Sequence, residues 1–107
     1  MVNAKGLFEK ALKHHQSGEL ASAASFYKKI LRDQPGNIDA IFFLGTLHLQ
    51  QGHLDMATMF LFQVIGRQPE HIAAHNNIGT VLQKQGKYDA AIERFKHVLA
   101  LRPDYDE

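Results

Sequence analysis

Residues 77–103 read NIGTVLQKQGKYDAAIERFKHVLALRP, and their pattern predicts the architecture of the chain. Their apolar residues follow a helical period on both sides of Gly86, and Pro103 closes the segment. A glycine permits the positive φ of a tight turn between two helices, whereas a proline prevents the second helix from continuing. The segment therefore predicts two antiparallel helices joined as a hairpin.

The same pattern occurs three times along the chain, with a constant period of 34 between equivalent positions. A proline, a glycine and an alanine of each unit keep this period: Pro35, Pro69 and Pro103; Gly18, Gly52 and Gly86; Ala23, Ala57 and Ala91. A fixed period of this length is typical of stacked helical repeats. We expect first helices near 4–16, 38–51 and 72–85, and second helices near 20–32, 54–66 and 88–100.

The unit resembles the tetratricopeptide repeat, a 34-residue hairpin with small residues at positions 8 and 20, a bulky residue at 24 and proline at 32. The third unit carries the resemblance best, with Gly79, Ala91, Phe95 and Pro103 at those positions. Counting from the prolines divides a single domain, 1–107, into repeats 4–37, 38–71 and 72–105. The resemblance, which is to bacterial arrays of such repeats, implies an all-α fold. It implies a right-handed α-solenoid of three antiparallel helical hairpins, six helices in all, that acts as a scaffold for protein interactions and not as an enzyme.

Composition and charge exclude several other classes of function. The 107 residues carry 12 Lys and Arg against 11 Asp and Glu, which leaves no positive surplus for a phosphate backbone, so we expect no nucleic-acid partner. The chain has no cysteine, which excludes disulfide scaffolds and thiol catalysis. No stretch approaches the roughly 20 apolar residues of a membrane span. We therefore expect a cytoplasmic protein without membrane insertion.

Seven histidines raise the question of a metal or catalytic site. His71 and His75 share a helix face, but the sequence supplies no third ligand beside them, and His75 occupies a position that normally packs inside the hairpin. His14 and His48 hold equivalent positions, either as semi-buried replacements for tyrosine or as a pH-sensitive pair. No glycine-rich phosphate loop or nucleophile elbow occurs. We expect no catalytic residue, no cofactor and no metal.

The resemblance implies that the first helices line a concave groove that binds a peptide or protein segment. The groove positions of the three repeats supply apolar anchors and amides: Phe8, Leu12, His15, Phe42, Phe43, Thr46, Leu49, Asn76, Asn77, Thr80 and Gln83. Phe8 and Phe42 have the alternative role of completing the packing between helices. The positions that match the two-carboxylate clamp of chaperone adaptors hold no cation, so we do not expect this groove to bind a C-terminal carboxylate: Phe8, Leu12, Phe43, Ala73 and Asn77.

The second helix of repeat two is apolar nearly all round, because four bulky apolar residues stand where the other repeats carry mostly polar ones: Met56, Met59, Phe60 and Phe62. Such a helix is usually buried on every side, and this one predicts a homo-oligomer. The competing interpretation is that a further domain or a different protein covers it.

Two alternatives remain for the chain as a whole. One is a purely structural self-assembly module, and the other is the N-terminal part of a longer enzyme such as a glycosyltransferase-like protein. The second alternative rests on segments 76–79 and 101–105, which are similar to those of bacterial arrays that precede such domains. No capping helix follows the last helix in this sequence, and we expect three of its apolar side chains to be partly open: Ile92, Val98 and Leu99.

Overall fold

The computed structural model describes residues 3–103, and in this part of the chain it has six helices and no strand. The bounds are α1 Ala4–Gln16, α2 Leu20–Asp33, α3 Ile38–Gln50, α4 Leu54–Arg67, α5 Ile72–Lys84 and α6 Tyr88–Leu101. Each bound lies within one residue of the one predicted from the period. The all-α solenoid of three hairpins is therefore confirmed. The division into repeats stays a prediction, and the end of the third repeat lies outside the described residues.

The first helix of each hairpin begins at a side-chain cap, and the caps keep the period of the repeats. Asn3, Asn37 and His71 each accept a hydrogen bond from the backbone N–H three residues further on, at 3.0–3.1 Å. These caps satisfy N–H groups that the first turn of a helix leaves without an intrahelical partner. The second helices begin without a side-chain cap, directly after the glycine turn.

The turns inside the hairpins depend on glycine. Gly18, Gly52 and Gly86 have φ values of 79°, 78° and 78°, a region that other residues adopt only with strain. They are the positive-φ residues of the described chain. Because the same φ value recurs in all three turns, the three hairpins share one turn geometry although their sequences differ.

Glycines of the first helix make room for side chains of the second helix in repeats two and three. A Cβ atom added to Gly45 would lie 3.1 Å from the Cβ of Phe60, and one added to Gly79 would lie 2.5 Å from the ring of Phe95. The glycines therefore make room for bulky side chains of the second helix.

The hairpins stack because α3 packs against α2 and α5 packs against α4. Two apolar clusters result, one around Tyr27 and Leu44 and the other around Leu61 and Ile78. The described part is elongated, with extents of 44 × 25 × 24 Å. Within residues 3–103, no helix has the length and apolar character needed to span a bilayer.

Candidate binding surfaces

An aromatic cluster joins the first two hairpins on the predicted groove surface, and Phe43 is its centre. The ring centroid of Phe43 lies 5.4 Å from that of Phe8, 5.3 Å from that of Phe42 and 6.0 Å from that of Tyr27. The two phenylalanine pairs meet edge to face, the arrangement that aromatic quadrupoles favour. Tyr27 is fully buried, while the three phenylalanines are half-buried. Phe43 thus supports its neighbours, and Phe42 and Phe8 lie at the edge of the cluster.

A hydrogen-bonded chain holds His15 beside this cluster. The Tyr27 hydroxyl lies 2.9 Å from Nδ1 of His15, and Nε2 of His15 contacts Oε1 of Gln50. Because Nε2 of His15 donates to the amide oxygen of Gln50, its Nδ1 is unprotonated and accepts from the Tyr27 hydroxyl. Burial raises the pKa of Tyr27 to about 12. These hydrogen bonds connect α2, α1 and α3, and they fix the orientation of His15, which is a predicted groove residue.

The polar end of the surface is formed by amides and hydroxyls of α3 and α5. Nδ2 of Asn77 donates to Oγ1 of Thr46 across the two repeats at 3.0 Å. Thr46 and Thr80 donate in turn to backbone carbonyls one helical turn earlier in their own helices. Asn76 is half-buried and its side-chain amide makes no hydrogen bond within residues 3–103. The free amide of Asn76 and the oxygen of Asn77 are thus available to a ligand.

The remaining predicted groove positions differ in exposure. Leu12 is half-buried and Gln83 is exposed. Leu49 is only 9% exposed and packs in the cluster around Leu61, so little of its side chain is left for a ligand. Leu49 is therefore a core residue in this structure, because its side chain is enclosed by that cluster.

Two aromatic residues contribute to the surface although neither is among the predicted groove positions. Tyr27 forms the buried side of the cluster, and the ring of His71 lies 4.9 Å from that of Phe42. His71 also caps α5 through Nδ1. The sequence signal for this role was its register with Asn3 and Asn37, one cap in each repeat.

His75 is a buried, hydrogen-bonded histidine, with 4% of its surface exposed. Its Nε2 donates to the carbonyl oxygen of Pro69 at 2.7 Å, and its Nδ1 accepts from Nη1 of Arg94 at 3.0 Å. Burial is the main cause that lowers the pKa of His75, and the nearby Arg94 and His97 lower it further, whereas the bond to Pro69 opposes them. Both ring nitrogens are occupied, and so is Nδ1 of the neighbouring His71. The His71 and His75 pair therefore has little capacity to bind a metal ion, and the described residues hold no group of three or more potential ligands.

The ring-stacking and side-chain polar contacts of His14 and His48 lie within their own hairpins. His14 stacks on Phe26 and lies 3.2 Å from a carboxylate oxygen of Glu19. His48 stacks on Phe60, and its Nδ1 lies 3.4 Å from Nδ1 of His53. Its Nε2 is buried without a hydrogen-bond partner among the described residues. Burial is the main cause that lowers the pKa of His48, followed by the charges of His53 and Lys28.

The outer side of α4 carries an exposed apolar patch, which we call the α4 patch and define as Met56, Met59 and Phe62. These side chains are 42%, 45% and 45% exposed. Phe60 does not belong to it, because it packs inward against both clusters and against Gly45. Phe62 borders two clefts, one of about 340 Å³ between α4 and α5 and one of about 390 Å³ between α4 and α6, and Leu82 lines both.

The sequence matches a family model described as anaphase-promoting complex, cyclosome, subunit 3, over residues 16–98. No curated protein sequence matches the chain. Among solved structures, a mutant of the O-GlcNAc transferase of Thermobaculum terrenum is 30% identical, with a TM-score of 0.89. That match covers 95% of this chain and 20% of the transferase chain.

Two further structures share the fold at lower identity. A crystal structure of MamA is 21% identical with a TM-score of 0.85, and the match covers 96% of this chain and 60% of MamA. The first TPR of Spaghetti (RPAP3), bound to the HSP90 peptide SRMEEVD, is 20% identical with a TM-score of 0.87. That match covers 94% of this chain and 80% of the other. The chain thus spans a fifth of the transferase and three fifths of MamA.

Proposed function

Because the chain belongs to the tetratricopeptide-repeat family that the matched model represents, we propose that it is a non-catalytic scaffold that binds a peptide or protein segment on its groove surface. The observation that carries the proposal is that half-exposed aromatic rings of α1 and α3 share the predicted groove positions with the free amide of Asn76 and the amide oxygen of Asn77 on α5. Tetratricopeptide repeats are generally interaction modules, and one of the structural neighbours is bound to a peptide.

The chemistry of the surface favours an extended segment with an apolar anchor. Phe8 and Phe42 offer half-exposed rings to an aliphatic or aromatic side chain, while Asn76 and Asn77 can hydrogen-bond the backbone beside it. A C-terminal carboxylate is a poor fit, because the positions that would pair with it hold Phe8, Leu12, Phe43, Ala73 and Asn77. We therefore expect this chain not to bind SRMEEVD, the peptide bound by the first TPR of Spaghetti.

The test is selection of peptides from a displayed random library, followed by affinity measurement on two variants. Phe42→Ala and Asn76→Ala change the edge of the cluster and the free amide without removing the central Phe43 ring. Loss of an aromatic anchor typically costs ~2 kcal/mol of binding, or roughly 30-fold in affinity. Lys96→Ala, an exposed position on α6, is the matched control. Selected peptides that bind all variants with equal affinity, or strong binding of SRMEEVD, would refute the assignment.

A second part of the proposal is self-association through the α4 patch. Three side chains at 42–45% exposure leave on the order of 250 Å² of apolar surface on each copy. Covering it on both copies at ~25 cal/mol per Å² gives ~12 kcal/mol, from which association costs of ~4–15 kcal/mol are subtracted. At the lower end of that cost about 8 kcal/mol remains, which corresponds to a dimer of about micromolar affinity, with α4 meeting its copy about a two-fold axis near Met59.

Light scattering over a concentration series tests this part independently of peptide binding. We expect the mass to rise above 12.1 kDa at high micromolar concentration, and Met59→Lys with Phe62→Glu to abolish the rise. A strictly monomeric mass at all concentrations would exclude the dimer. A dimer that the double variant leaves intact would place the contact elsewhere.

The transferase match favours a second candidate, in which these repeats form part of a larger enzyme. The 30% identity extends over 95% of this chain but only 20% of the transferase. In that case the groove would recruit a protein substrate and the chemistry would lie in another domain. The test is whether the genomic reading frame encodes a catalytic domain together with these repeats; a frame that encodes the repeats alone would exclude it.

A further inference from the structure

Arg94 is a half-buried cation on α6 that makes no ion pair with an acidic residue among residues 3–103. Its Nη1 donates to Nδ1 of His75 at 3.0 Å, and its guanidinium carbon lies 5.8 Å from the ring centroid of Phe62. Nδ1 of the neutral His75 ring can only accept, because Nε2 carries the proton that is donated to Pro69. The guanidinium is therefore held in place on one side, while its other N–H groups make no hydrogen bond within the described residues.

The polar pair of Arg94 and His75 stands where the other two repeats have apolar residues. The equivalent positions hold Leu7 with Phe26 in repeat one and Ile41 with Phe60 in repeat two. Apolar residues at these positions avoid the desolvation of a guanidinium and an imidazole, and for that reason they favour stability. A departure from the repeat that costs folding stability is typical of a position used for binding.

Arg94 lines the cleft of about 390 Å³ between α4 and α6, and we call this cleft the α4–α6 cleft. One part of its lining is apolar and the other is charged or polar: Phe62, Leu82, Ala90, Glu93, Arg94 and His97. The four α6 residues of this set lie on one face of the helix, as their spacing requires. Ile92 and Leu99, 49% and 41% exposed, lie on the opposite face of α6. The α4–α6 cleft is therefore separate from that face and from the groove surface of the first helices.

Glu93 limits the charge that the α4–α6 cleft can accept. Its carboxylate is exposed and lies 3.6 Å from Nζ of Lys96 on the same helix. A phosphate group, with about two negative charges, would meet a single guanidinium and be repelled by Glu93. A carboxylate carries one charge, and its two oxygens match the planar fork of an arginine. The charges of the cleft therefore favour a carboxylate over a phosphate.

We infer that the α4–α6 cleft binds an acidic segment of a partner protein, with a carboxylate paired to Arg94 and an adjacent aliphatic side chain packed on Phe62 and Leu82. The partner follows from the charge of Arg94 and from the apolar part of the lining. The inference does not rest on the proposed groove binding, because none of the groove residues takes part in it.

The direct test is selection from a displayed random peptide library on the full chain, after depletion of the library on Arg94→Phe. This variant copies Phe26 and Phe60 of the other repeats and removes the cation, and circular dichroism checks that it is folded. We expect the selected peptides to carry Asp or Glu next to an aliphatic residue. Selected peptides without an acidic residue, or a failure to find any peptide that distinguishes the two proteins, would overturn the inference.

The affinity of the strongest selected peptide is then measured at concentrations at which the chain is monomeric, because a second copy on the α4 patch would compete for Phe62. Replacing the acidic residue of the peptide by its amide, or Arg94 by Gln, should weaken binding at least about 10-fold. Glu93→Gln should strengthen binding, because it removes a repelling carboxylate. The matched control is Lys29→Gln, which removes an exposed cation that lies over Phe26 on α2 and should leave the affinity unchanged. Binding that survives Arg94→Gln, or that Lys29→Gln weakens equally, would contradict the inference.

Three further measurements distinguish other occupants of the cleft. Tighter binding of a peptide with phosphoserine in place of the acidic residue would assign the cleft to a phosphate and overturn the inference. Loss of peptide binding in Phe42→Ala would place the peptide in the groove and also overturn it. Light scattering on Arg94→Phe is the third measurement: loss of an oligomer that the wild type forms would assign the cleft to a second copy and refute the inference, and an unchanged mass would support it.

Discussion

The most informative single substitution is His75→Ile, which replaces a buried titratable ring by the residue found at the equivalent position, Ile41. The change removes the hydrogen bonds to Pro69 and Arg94, each with a net value of ~1 kcal/mol. Burial of an isoleucine side chain recovers roughly 1.5–3 kcal/mol. At pH 7.5 the two effects nearly cancel, and we expect a melting temperature within ~5 °C of the wild type.

The melting temperatures of the wild type and of His75→Ile should diverge as the pH falls. The pKa of His75 is lowered in the folded state, chiefly by burial, so between the usual value near 6.5 and the lowered value the unfolded chain binds more protons than the folded one. Folding stability due to His75 is therefore fully present above pH ~6.5 and is lost as the pH decreases through that window. Isoleucine does not titrate, so the folding stability of the variant does not decrease in this pH window.

The assay is thermal unfolding followed by circular dichroism at several pH values from 7.5 to 5. We expect the wild-type melting temperature to fall more steeply than that of His75→Ile, so that the variant is the more stable protein at the acidic end. His75→Gln is the matched control, since an amide keeps one donor and one acceptor but does not titrate; its curve should also be flatter than that of the wild type. Parallel curves for wild type and both variants would refute the reasoning.

Two further predictions concern stability at neutral pH, measured by urea unfolding. His48→Leu, which copies Leu82 at the equivalent position, should raise the free energy of unfolding by ~1 kcal/mol, because it removes the buried Nε2 that has no partner among the described residues; a decrease would show that stacking on Phe60 outweighs that cost. Gly86→Ala should lower the free energy by ~1 kcal/mol because φ is +78°, whereas Gly66→Ala, in open space within α4, should raise it by up to ~1 kcal/mol. Equal effects of the two alanines would contradict the argument from backbone strain.

The helices, the turns and the hairpins could be located from the amino-acid sequence alone. Glycine turns and closing prolines act over a few residues, so their order along the chain is sufficient to place the hairpins. The 34-residue period then repeats the same local structure three times. For this reason the bounds agree with the structure within one residue.

The exposure of individual apolar side chains, in contrast, depended on how the helices pack. Phe60 and Phe62 stand two residues apart on α4, yet Phe60 packs behind Gly45 whereas Phe62 faces outward. Val98 is buried in its hairpin while Leu99, the next residue, is open. The period assigns each residue to a helix face, but burial depends on whether another helix lies against that face and on the size of the residues it presents there. Which helix lies against a given face is determined by tertiary packing, and the sequence pattern of a single repeat does not contain it.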